Sequence, residues 1–146
     1  MKIKSFAYGQ WVEGTGTPVK ILSAVTGEHL FDADSTGLDF RQMLDYGRTV
    51  GSVNSRKHTF HQRALMLKEL AKYLTERKES YYRLSYFTGA TKTDSWFDID
   101  GGIGTLFAYA SKARKELPNQ TVYIDGGTDL LSKGGTFVGR HICVPL

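Results

Sequence analysis

Cysteine is nearly absent from this chain of 146 residues, and the single Cys143 excludes an internal disulfide or an all-cysteine zinc site and fits a reducing compartment. Long apolar runs are missing too. None approaches the roughly 20 residues of a membrane helix, and M-K-I-K-S-F-A-Y-G-Q at the N-terminus lacks the apolar core of a signal peptide. A cytoplasmic location with no membrane partner is the expectation. Charge of one sign is also scarce. With 19 basic and 15 acidic residues the formal net charge is +4, too small an excess to name a polyanionic partner, and no nucleic acid is expected. No internal repeat or low-complexity segment occurs.

What is present suits one domain with a modest core, since 40% of residues are hydrophobic and 23% charged. The strongest pattern runs from Thr59 to Phe87. Phe60, Ala64, Leu67, Ala71, Leu74 and Tyr81 recur at steps of four and three, with Lys78 in the one missing place, which predicts a single long helix. Thr59 and Gln62 form a capping box at its start, and Gly89 closes it. A lone helix is marginal in water, so its stripe needs a cover.

Before this helix, Met1 to Asp34 reads as a β ribbon. Trp11-Val12 and Val19-Lys20-Ile21-Leu22 flank a Gly-bearing turn, Val25-Thr26-Gly27-Glu28 is a second turn, and His29-Leu30-Phe31 is a short strand. Asp39 caps a helix that buries Phe40, Met43, Leu44, Gly47 and Val50 and stops at Gly51, followed by a polar connection over 52–58. After a link from Thr88 to Lys92, Thr93 caps a third helix. Its apolar positions are Trp96, Ile99, Ile103, Leu106, Ala110, Ala113 and Leu117, and Pro118 ends it. Gly101, Gly102 and Gly104 each cost about 1 kcal/mol inside a helix, and close approach of a second helix is the simplest reason for them. Asp94, Asp98 and Asp100 suit the positive end of the helix dipole.

Beyond Pro118 the period falls to two. Thr121 to Ile124 is a strand, Asp125-Gly126-Gly127 a turn, and Thr136 to Val144 a longer strand entered through Gly134-Gly135, with His141 and Cys143 on one face. The close on Pro145-Leu146 reads as a cut within a longer polypeptide. The expected fold class is α+β: three helices over 35–118, an N-terminal β ribbon over 1–34 and a C-terminal β hairpin over 119–146.

No constellation offers an active site. D-I-D-G-G-I-G, with Asp98 and Asp100, lacks the G-x-G-x-x-G spacing and follows no strand, so it is no dinucleotide fingerprint. His58 and His61 have a metal-sharing spacing without a third ligand, and His29 and His141 are isolated. Cys143 has no neighbouring base. Glu76 and Glu79 serve best as helix-surface partners of Arg77, Lys72 and Arg83. The basic row Arg56, Lys57, Arg63, Lys68, Lys72, Arg77, Lys78 and Arg83 is broken by Glu69, Glu76 and Glu79 and suits a solvated face. Catalytic, cofactor-binding and metal residues are therefore expected to be none.

The strings themselves carry a resemblance. V-T-G-E at Val25, a capped helix after Gly37-Leu38-Asp39, and F-H-Q-R-A-L-M-L-K-E-L-A from Phe60 to Ala71 resemble the N-terminal part of the aldehyde dehydrogenase superfamily. So do T-G-A-T-K-T-D-S-W-F-D-I-D-G-G-I-G-T-L-F-A-Y-A-S from Thr88 to Ser111 and K-G-G-T-F-V-G-R-H-I from Lys133 to Ile142. They are most similar to a bifunctional branch that fuses the dehydrogenase to an enoyl-CoA hydratase in phenylacetate ring cleavage. The resemblance implies an α/β fold for the intact protein, oxidation of a CoA-linked aldehyde with NADP or NAD, a separate oxepin-CoA hydrolase activity, and a homo-oligomer formed through β strands. The family's motif residues are not found. Gly9-Gln10 is followed by Trp11-Val12 where Gly-Gln-x-Cys is required, Asn54 and Asn119 lack a following Phe-Pro, and Cys143 sits in the wrong context. The segment alone is expected to be inactive and to bind no cofactor. The competing expectation is a stand-alone helical interaction or nucleic-acid-binding module.

Overall fold

The computed structural model describes residues 1–130 and 138–143, with side chains described up to residue 124. The architecture is α+β, in the order β1 (Ser5–Ala7), β2 (Gln10–Val12), β3 (Val19–Leu22), β4 (His29–Ala33), α1 (Phe40–Tyr46), α2 (Val53–Arg56), α3 (Phe60–Glu76), α4 (Lys78–Tyr86), α5 (Lys92–Glu116), β5 (Tyr123–Leu130) and β6 (Val138–Cys143). Expected features at Gly134-Gly135, Phe137, Val144 and Pro145-Leu146 lie outside the described residues, as do the side chains of His141 and Cys143.

The N-terminal ribbon is two hairpins, which corrects the expected pairing of Trp11-Val12 with Val19 to Leu22. β1 pairs antiparallel with β2, and β3 pairs antiparallel with β4. The first hairpin turns at Tyr8-Gly9, both at positive φ (53° and 79°), a tighter reversal than Glu13 to Gly16 provides. Val25 to Glu28 forms the second turn as expected. Gly27 takes the left-handed conformation at φ 72°, and Ser23 Oγ accepts from the amides of Val25 and Thr26. Lys2 bridges in parallel to Asp32.

Asp39 caps α1 as predicted, its carboxylate accepting the Gln42 amide at 2.9 Å. Gly51 does not stop the helix. The chain passes through a π-helical stretch, Gly47–Ser52, into α2, so the supposed polar connection is mostly helical. Nor does α1 bury the residues assigned to it. Phe40 is 67% exposed, and Leu44 and Val50 are exposed as well.

The long central helix is broken. The Thr59–Gln62 capping box forms, but at Arg77 the backbone leaves helical geometry (φ −111°, ψ 3°). The Arg77 amide bonds Leu74 O and the Ser80 amide bonds Arg77 O, the tighter i→i+3 pattern of a helix end. Lys78, the first residue of α4, meets Asp100 of α5. The Gly89 stop holds, at φ 84°.

α5 is capped by Thr91, two residues before the predicted Thr93, because Asp94 completes a capping box with Thr91. Its inner face carries Ser95, Ile103 and Ala110; Trp96 is 53% exposed, one position off that face. Among the described residues no second helix meets the three glycines. A Cβ built on Gly101, Gly102 or Gly104 meets nothing within 4 Å.

The helical core is thin. α3 and α5 meet through Ala64 and Ala71, 1% and 0% exposed, against Ile103 and Ala110. Small residues on both sides bring the two axes close. Three polar links tie the start of α3 to the end of α5: Thr59 Oγ1 donates to Asn119 Oδ1 at 2.6 Å, His61 Nε2 lies 2.8 Å from Leu117 O, and the Phe60 amide donates to Gln120 O at 2.9 Å. The Ala24 amide donates to Phe87 O at 2.8 Å, docking the β3–β4 turn on the end of α4. Asp125 to Gly127, expected as a turn, lies inside β5, where the β5–β6 register shifts between Asp125 and Asp129. Two extra residues of β5 are absorbed there as an irregularity of the ladder.

Candidate functional site

The most organised polar cluster joins α4 to α5. Lys78 and Tyr82 stand one turn apart on α4, so they project from one face. Lys78 Nζ donates to Asp100 Oδ1 at 2.9 Å, and the Tyr82 hydroxyl donates to Asp100 Oδ2. Both carboxylate oxygens are thereby used. The Tyr82 hydrogen bond, then that of Lys78, holds the Asp100 carboxyl below its ordinary range. The same bond, followed by desolvation and the nearby charge, pushes Tyr82 up to about 12. Lys78 is raised, first by its hydrogen bond to Asp100. A cleft of about 440 Å³ opens beside the cluster, lined by Lys78, Glu79, Tyr82, Tyr86, Ala90, Lys92 and Ser95. The cluster is a clasp: both oxygens of Asp100 are engaged, one by Lys78 and one by Tyr82, and Glu79 lines the adjoining cleft.

A second cluster fixes the loops after the hairpins. Asp34 Oδ2 accepts the Gly16 amide at 2.6 Å and Oδ1 accepts the Thr36 amide at 2.9 Å. Lys2 Nζ lies 3.5 Å from Oδ2 and donates to Gly14 O. Bonds from Thr36 lower Asp34 to about 2. The Asp34 side chain is 4% exposed, and its neighbours at Gly14 and Gly16 leave no room for a Cβ. This arrangement ties residues 2, 14 and 16 to the end of β4.

The residues weighed from the sequence are scattered. His61 is bound to Leu117 O, so it is a helix-to-helix link. His29 Nε2 lies 3.0 Å from Asp32 Oδ1. Among the described residues, no three His, Cys, Asp or Glu side chains gather as a metal-binding group. Asp98 and Gly101 to Gly104 lie within continuous α5, where interior backbone N–H groups point along the helix to carbonyls. They form no phosphate cradle. Cys143 lies in β6, its backbone opposite Tyr123. Among the described residues, no helix is long and apolar enough to cross a membrane.

The basic row is largely answered within the chain. Lys72 pairs with Glu69 at 2.7 Å, Arg77 with Glu76 at 3.4 Å and Lys78 with Asp100. The Arg63 guanidinium lies 4.5 Å from the Phe60 ring centroid and that of Arg77 lies 3.6 Å from Tyr73. The clasp itself was not singled out from the sequence. Its signal was Lys78, the one polar place in an apolar stripe, with a tyrosine four residues on.

No family model matches the chain. The chain is 36% identical over 147 aligned residues, covering 100% of its own length, to a 3,4-dehydroadipyl-CoA semialdehyde dehydrogenase of Aromatoleum evansii. It spans 28% of the length of that relative. From end to end, then, this chain is similar to part of an aldehyde-oxidising dehydrogenase.

Proposed function

We propose that this chain is a scaffold segment of an aldehyde dehydrogenase that oxidises a CoA-linked semialdehyde to its acid with NADP or NAD. The observation that carries this is the full-length similarity to the Aromatoleum evansii dehydrogenase. Its physical support is the surface. Met66, Leu70 and Tyr73 on α3 step four and three along one line and are all exposed, as are Trp96, Phe97 and Tyr109 on α5 and Phe40 on α1. Among the described residues only Ala7, Ala64, Ala71, Ile103 and Ala110 form the buried apolar set. Large exposed apolar faces of this kind mark surfaces that another part of a protein covers.

In this proposal the intact protein has an α/β fold, and residues 1–146 are the N-terminal part of its dehydrogenase domain. The helices lie on the outside of a sheet supplied from elsewhere, and β5 and β6 contribute to a homo-oligomer in the cytoplasm. A fused enoyl-CoA hydratase with oxepin-CoA hydrolase activity is the finer form of the same proposal. In this proposal the chemistry belongs to residues outside this segment.

The test is the reading frame past the Leu146 codon. A continuation that encodes Asn-Phe-Pro and a Gly-Gln-x-Cys segment, and whose product reduces NADP or NAD with a CoA semialdehyde, is the expected result. A stop codon directly after Leu146 overturns the proposal, as does aldehyde-dependent NADP reduction by the 146-residue chain alone.

A further inference from the structure

We propose that the cleft between α3 and α5 binds a phosphate monoester carried on a planar ring. The cleft has a volume of about 300 Å³ and is lined by Lys68, Phe107, Ala110, Ser111 and Arg114. Phe107, Ser111 and Arg114 step four and three along α5 and so share one face of it. Lys68 stands opposite, on α3, and the buried Ala110 closes the floor.

Charge distinguishes this cleft from the one beside Tyr82 and from the one at the N-terminal ribbon, whose linings include Glu79 and Asp34. Lys72, Arg77 and Lys78 each have a carboxylate partner, whereas Lys68 and Arg114 have no partner among the described residues. The lining contains no carboxylate. Two cations converging on one opening without a counter-charge suit a dianion. Guanidinium binds phosphate oxygens with a planar fork, and ammonium adds a compact point charge. The Ser111 hydroxyl is a further donor. The Phe107 ring, 36% exposed, offers an apolar face to a flat ring. The volume lies at the low end of the range for small-molecule sites, about 300–1,000 Å³, and suits a single phosphorylated ring system. One turn along α3 from Lys68, Lys72 is already paired with Glu69, so it adds no free charge for a nucleic-acid strand.

Isothermal titration of the 146-residue chain at low salt, with AMP, adenosine, inorganic phosphate and a duplex RNA of random sequence, tests this. AMP binds saturably, and adenosine binds at least about ten-fold more weakly. Lys68→Met and Arg114→Met each weaken AMP by about ten-fold, the loss of one charge-assisted hydrogen bond. Lys68→Arg keeps most of the affinity, Lys72→Met leaves it unchanged, and Phe107→Leu weakens AMP without affecting inorganic phosphate. Circular dichroism of each variant checks that its helices are intact. Three results overturn the proposal: no AMP binding by the folded chain, equal binding of adenosine and AMP, or a preference for duplex RNA that Lys72→Met weakens as much as Lys68→Met.

Discussion

Tyr82 and Asp100, eighteen residues apart in sequence, share a hydrogen bond from hydroxyl to carboxylate across the α4–α5 contact. Lys78 completes the clasp from one turn away. The clasp sits just past the break at Arg77, with Lys78 in the same stripe as Ala64 and Ala71, which are buried in the helical core.

The clasp has a defined pH window. Asp100 is lowered in the folded chain, so its contribution is present above the ordinary 3.8 and is lost as pH falls through the lowered value. Tyr82 is raised from 10.0 to about 12 and Lys78 is raised above 10.5. Their contributions are present below the ordinary values and are lost as pH rises through the raised ones. Spectrophotometric titration is expected to show one tyrosinate fewer forming near pH 12 in Tyr82→Phe than in the wild type. Asp100→Asn is expected to lower the melting temperature at neutral pH and to flatten its fall at both extremes. An unchanged melting profile in Asp100→Asn would remove the clasp.

The glycines of α5 give a signed test of what covers this helix. Gly101→Ala, Gly102→Ala and Gly104→Ala meet open space, so each is expected to stabilise the 146-residue chain by about 0.5–1 kcal/mol in thermal or urea unfolding. If a longer dehydrogenase packs against this face, at least one of the three substitutions is expected to destabilise that longer protein.

The α3–α5 seam tolerates no added volume. Ala71→Leu, at a site with 0% exposure, is expected to cost about 1–3 kcal/mol through overpacking. Thr59→Ala removes the helix cap and the hydrogen bond to Asn119, and is expected to cost about 1 kcal/mol. Urea midpoints with unchanged slopes would check both.

Gly14 is fixed by its neighbour. A Cβ there would stand 2.3 Å from the Asp34 carbonyl oxygen, which is backbone and must move if the residue changes. Gly14→Ala is expected to separate the 14–16 loop from the end of β4, and hydrogen exchange at the Gly16 and Thr36 amides should rise together. Asp34 is lowered to about 2, so the same protection in the wild type is expected to survive acidification through 3.8 and to fail as pH approaches 2.

Local chemistry was written plainly in the sequence. Thr59 with Gln62, Asp39 before Phe40, Gly89 after α4 and the Val25-to-Glu28 turn are short-range devices, in which a side chain satisfies a backbone group within three residues or a glycine accepts a positive φ. The α3 stripe was legible for the same reason, since its alanines recur at the helical period. The site was less legible. Lys78 and Tyr82 were visible as neighbours on a helix, but nothing in their spacing revealed that Asp100 would receive both.

Tertiary structure decided what periodicity is blind to. Whether Trp11 pairs back to Phe6 or forward to Val19 depended on which reversal, Tyr8-Gly9 or Glu13 to Gly16, closes more tightly. Whether the glycines of α5 face a neighbour or open space depended on the rotation of α5 about its own axis, fixed by Ser95, Ile103 and Ala110 turning inward. The sequence by itself determined the Thr59 and Asp39 caps, the Gly89 stop, the Val25-to-Glu28 turn and the α+β class, because these arise from contacts a few residues apart. Strand partners, the break at Arg77 and the unpaired cations of the α3–α5 cleft were decided only when distant segments competed for the same small core.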